Sequence, residues 1–124
     1  MGRYRKQKPL GDINVEFAKD EIMKFMKRSG YLWREYNKQK MWRKEVKNPW
    51  RPFAPPMRIY FVFSFNKSVI EYEAFVVWML LFFYDSGEYG LEGGIFGVRQ
   101  QDALSKEIDY VNNFLDDLIR SEDK

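Results

Sequence analysis

Between Gly30 and Pro56 the chain reads GYLWREYNKQKMWRKEVKNPWRPFAPP, in which six aromatic residues are interleaved with seven basic ones. Trp33, Trp42 and Trp50 stand beside Arg34, Lys38, Lys40, Arg43, Lys44, Lys47 and Arg51. Aromatic rings are platforms on which bases stack, at roughly 1 to 3 kcal/mol per base, and Lys or Arg neutralises backbone phosphate. The combination points to the backbone of DNA or RNA, with little sequence preference, because no helix-turn-helix, zinc finger or other base-reading motif accompanies it. An ordinary structural use weighs equally: tryptophan is usually well buried, and the cations would then be a solvated face.

Catalytic chemistry has fewer candidates. With no Cys and no His, thiolate chemistry, disulfides, nitrogen-and-sulfur zinc sites and every imidazole-dependent triad are excluded. Glu71 and Glu73 form a carboxylate pair, but two positions apart on a helix is roughly 200° around the axis, so as helical residues they would diverge. Asp85, Glu88 and Glu92 do not follow the spacing of an EF-hand loop, whose third and fifth positions would fall on Gly87 and Tyr89. Gly90, Gly93, Gly94 and Gly97 precede a helical stretch, yet neither phosphate-loop pattern is present. No catalytic residue, metal ligand or cofactor is assigned; a carboxylate-metal nuclease is the enzyme class nearest to these residues.

The net charge of +3 conceals two opposed halves. Residues 1–58 carry 16 Lys and Arg against 6 Asp and Glu, a balance of +10; residues 59–124 carry 5 against 12, a balance of -7. Such asymmetry suggests a polyanionic partner for the basic half, or association between unlike halves.

The elements that must position these residues follow from spacing. Residues 1–10 are basic and polar and read as a flexible arm, leaving residues 11–124 as a single domain of ordinary size. Val15, Ala18, Ile22, Phe25 and Met26 recur at helical spacing, with acids at the start, Lys27 and Arg28 in the last turn and Gly30 as the stop. Residues 31–47 favour helix without a clean face, and a hairpin turning at Asn37 to Lys40 is the alternative. Four prolines make residues 48–56 extended. MRIYFVFSF, residues 57–65, reads as a buried strand. Ser68 and Glu71 have capping-box spacing before an apolar run, which predicts a helix over about 69–85 without a polar side from Ala74 onward. A glycine-rich turn follows, with an edge strand possible at 95–98. Leu104, Ile108, Val111, Leu115 and Leu118 then form the stripe of an amphipathic helix with an acidic back.

The expected architecture is α+β and mostly helical, with one buried strand at 57–65. Two function classes fit it. In the first, a non-catalytic nucleic-acid-binding protein uses the basic, aromatic half. In the second, an assembly subunit pairs copies through the apolar helix and the stripe from Leu104 to Leu118, giving a homodimer or other oligomer. The longest apolar run, Ala74 to Tyr84, is eleven residues against the roughly 20 of a membrane span, so a soluble, intracellular protein is expected.

Overall fold

A computed structural model describes residues 3–46, 57–77, 79–81, 84–85 and 98–122. Strand β1 (Tyr4–Pro9) leads into helix α1 (Val15–Arg28), followed by β2 (Leu32–Tyr36), β3 (Gln39–Val46), β4 (Met57–Asn66) and β5 (Val69–Val77). The short strands β6 (Met79–Leu81) and β7 (Tyr84–Asp85) pair with each other, and α2 (Val98–Glu122) follows. The large sheet has the order β1-β5-β4-β3-β2 and every pairing in it is antiparallel. Strands β2 to β5 form a meander, while β1 joins the far side of β5. The chain must therefore travel from one edge of the sheet to the other between β1 and β2, and α1 lies on that path.

Helix α1 is closed at both ends by its own sequence. The Asn14 side chain accepts a hydrogen bond from the Phe17 amide at 3.1 Å, satisfying a donor that the first turn leaves open. Gly30 adopts φ +94°, a left-handed conformation that costs glycine little, and the Tyr31 amide returns to the Met26 carbonyl at 2.9 Å.

Strand alternation divides the sheet into two faces. Ile59, Phe61, Ile70, Tyr72, Ala74 and Val76 point toward the helices and join Ala18, Ile22, Phe25 and Met26 of α1 and Leu104, Ile108, Val111, Leu115 and Leu118 of α2 in one core. The helices touch through Phe25 and Phe114, whose rings stack at 4.1 Å. The opposite face carries a second buried cluster, Met41, Tyr60, Phe75 and Val77.

This architecture corrects the sequence-based expectation of a mostly helical chain with one strand. Residues 57–65 do form a strand, but within a five-stranded sheet. The expected helix over 69–85 is strand β5 in its first part: Val69–Val77 pairs with β4 along nine positions and with β1 along six. Ser68 therefore caps no helix; it sits in the β4–β5 turn, where Lys67 has φ 56°, and its carbonyl accepts from the Leu10 amide. Residues 4–9 of the expected arm form β1, an edge strand secured by β5. Residues 31–46 take the hairpin alternative, and Asn37 and Lys38 both have positive φ, 49° and 66°. This is the turn whose twist suits a two-residue hairpin. The proline-rich stretch 48–56 lies outside the described residues, as does most of the glycine-rich segment. Of the expected edge strand at 95–98, only Val98 is described, and it opens α2. Among the described residues, no helix is long and apolar enough to cross a membrane.

Candidate functional site

The β2–β3 hairpin carries most of the residues singled out for binding, and its register sorts them. Trp33 lies opposite Trp42, and Arg34 opposite Met41. Trp33, Trp42 and Lys44 share the helix-facing side, whereas Arg34 and Arg43 share the other. The indole rings of Trp33 and Trp42 are 4.9 Å apart and tilted by 57°. Their environments differ sharply: Trp42 is 8% exposed and belongs to the core, while Trp33 is 47% exposed. The buried ring backs the exposed one.

The cations divide likewise. Lys44 donates to Glu107 of α2 at 3.0 Å, and Glu107 also accepts from the Tyr31 hydroxyl at 2.8 Å. Burial, reinforced by the Glu107 charge, pushes the Tyr31 phenol well above its ordinary value. Lys44 thus ties α2 to the sheet. Arg43 lies 3.8 Å from Glu45 on the opposite face. Arg34, Lys38 and Lys40 are exposed along the outer half of the hairpin. Lys47 and Arg51 lie outside the described residues, as does Trp50.

Beside the tryptophans lies a cavity of about 530 Å³. One stripe of α1 contributes Lys19, Ile22, Met23 and Lys27, and the sheet contributes Trp33, Trp42, Phe63, Ser64 and Phe65. Its origin is a parting of strands. The β3–β4 ladder runs from Val46↔Met57 to Trp42↔Phe61 and stops, while β4 continues beside β5 as far as Asn66. Beyond Phe61, therefore, Phe63 and Phe65 face space that a neighbouring strand would have closed. Lys19 lies 5.4 Å above the Phe65 ring, and Lys27 is exposed. Sequence spacing marked the tryptophans but not Phe63, Phe65 or the α1 lysines, because the cavity depends on where a ladder ends.

Glu71 and Glu73 occupy the same face of β5, opposite to the divergence expected for a helix. Arg3 and Arg5 both reach Glu73, at 3.1 and 2.9 Å, and Gln7 reaches Glu71 at 3.1 Å. These carboxylates attach β1 to the sheet. Among the described residues, no group of three potential metal ligands gathers. Leu104, Ile108, Val111, Leu115 and Leu118 are 0–7% exposed, covered by this chain's own sheet and α1. An interface between copies would have to be built from other residues.

No protein-family model, curated protein or solved structure matches the chain.

Proposed function

We propose that the chain is a non-catalytic nucleic-acid-binding protein that holds a single strand along the β2–β3 hairpin, with little sequence preference. The observation that carries this reading is the half-exposed Trp33 ring braced by buried Trp42, with Arg34, Lys38 and Lys40 exposed on the same hairpin. A ring held in place beneath and open above offers a base a stacking surface without the cost of first ordering a side chain. Lys40 on the same face as Trp33, Lys38 in the turn and Arg34 on the other face of the edge strand supply the sequence-independent attraction to phosphate.

The test is fluorescence anisotropy with labelled single strands and duplexes at about 50 mM salt, where phosphate contacts are favoured. Wild type should bind single strands, and Trp33→Ala should weaken them by about 1 to 3 kcal/mol while sparing whatever duplex affinity exists. Replacing Arg34, Lys38 and Lys40 together by Ala should weaken all sequences alike and flatten the dependence on salt. Failure of the wild-type chain to bind any single or double strand under these conditions would overturn the reading.

A further inference from the structure

We infer that the cavity between α1 and the parted strands is a binding site for a small amphipathic anion, a molecule with an apolar body and one carboxylate head. Its walls are Ile22, Met23, Trp33, Trp42, Phe63 and Phe65, and its volume of about 530 Å³ lies within the roughly 300 to 1,000 Å³ usual for ligand sites. Of its polar lining residues, Lys19 and Lys27 come from α1, while Ser64 pairs with Glu71 on the face of the sheet turned away from the helices. This composition selects against a nucleobase, whose hydrogen-bonding edge would enter a wall of rings and aliphatic carbons. Each polar group left unpaired there would count against binding. A hydrocarbon chain or plain ring incurs no such cost and removes the apolar walls from water.

The head group is assigned by charge. Lys19 and Lys27 are two turns apart on α1, both line the cavity and both are exposed. An anion whose body enters the cavity can leave its carboxylate beside one or other of their ammonium groups. Lys19 already lies 3.6 Å from Glu16, but both side chains are largely exposed, so exchanging that contact for a ligand costs little. Packed rings below and exposed cations above are complementary to an amphiphile entering tail first. The site goes beyond the nucleic-acid reading, which uses the exposed outer part of Trp33 and the hairpin cations and does not involve Ile22, Met23, Phe63 or Phe65.

Calorimetric titration with decanoate and, separately, with decanol tests the assignment. Decanoate should bind saturably, one per chain. Replacing Lys19 and Lys27 together by Ala should weaken decanoate by about tenfold, the loss of one charge-assisted contact, and leave decanol unchanged. Met23→Trp, made at an exposed position at the cavity wall, should abolish binding of both while the melting transition stays in place. Absence of saturable decanoate binding to the wild type would overturn the proposal, as would undiminished binding to folded Met23→Trp. Equal weakening of decanoate and decanol by the lysine substitutions would overturn it as well. Single-strand binding by the same Met23→Trp protein separates this site from the hairpin: the pocket can fail while the hairpin binds, and the reverse.

Discussion

Lys44 of β3 and Glu107 of α2 meet at 3.0 Å across the boundary between sheet and helix, and the Tyr31 hydroxyl shares the same carboxylate oxygen. Sequence placed Lys44 in a run of binding cations; structure gives it an internal partner 63 residues away. Its substitution should therefore register first as lost stability. Lys44→Ala and Glu107→Gln should each destabilise by about 1 to 3 kcal/mol, and the double variant should lose less than the two combined. Urea denaturation of the four proteins checks this; strict additivity would mean that the contact carries no coupling.

High pH should weaken the fold through two phenols. Burial raises the proton affinity of both Tyr31 and Tyr72, aided at Tyr31 by Glu107 and at Tyr72 by Tyr4. In the unfolded chain each returns to an ordinary value of about 10, so above that pH the unfolded chain sheds protons that the folded chain keeps. Stability present in full below about pH 10 should fall as pH rises, by up to about 1.4 kcal/mol per pH unit for each tyrosine. Tyr31→Phe and Tyr72→Phe should each make thermal stability less steep with pH between about 10 and 12. Slopes identical to wild type would rule the phenols out as the cause.

The hairpin turn stores a local cost. Asn37 tolerates positive φ well, but Lys38 at 66° occupies a position where glycine is preferred. Lys38→Gly should raise stability by about 1 kcal/mol in thermal or urea melts. It also removes one hairpin cation, so a more stable protein with weaker single-strand binding is the expected pair of outcomes. Unchanged or lowered stability would mean that the lysine conformation carries no strain.

Phe61 anchors the main core. It is fully buried and its ring lies 5.6 Å from that of Tyr31 and 5.8 Å from that of Tyr72. Phe61→Ala should cost about 3 to 5 kcal/mol, since the vacated space cannot collapse around rings held by neighbouring strands. A loss below about 1 kcal/mol, measured by urea denaturation, would show that the site relaxes freely.

What could be read in the sequence depended on how many faces of each element are covered. Helix α1 shows one apolar stripe and two end signals, and it lies where its spacing put it. The stripe Leu104, Ile108, Val111, Leu115 and Leu118 likewise marked α2. Strand β5 was misleading because alternation is plain only in its first half. Ile70, Tyr72 and Ala74 face the helices while Glu71 and Glu73 face away, but further along both faces are buried, with Val76 on one side and Phe75 and Val77 on the other. A strand covered on both sides reads as an unbroken apolar run, and length alone then favours helix. Residues 31–46 hid their hairpin because Leu32 to Glu35 of β2 and Gln39 and Lys40 of β3 are exposed on both faces, leaving no apolar alternation to detect. For the site, composition marked Trp33 and its cations. The division of labour between Trp33 and Trp42 required the register.

The placement of β1 bears on the order of assembly. Strands β2 to β5 are neighbours in sequence and can pair successively as short-range hairpins, but β1 must find β5 across a separation of 60 to 70 residues, as in Pro9↔Val69 and Tyr4↔Ala74. Closing so long a loop brings its reward late, so the meander is expected to form first and the N-terminal strand to dock onto it afterwards. During synthesis β1 leaves the ribosome well before its partner exists. Glu71 and Glu73, which Gln7, Arg3 and Arg5 reach in the folded chain, are made only when β5 emerges, and from then until docking β5 presents an open edge that a second nascent chain can recognise as readily as its own.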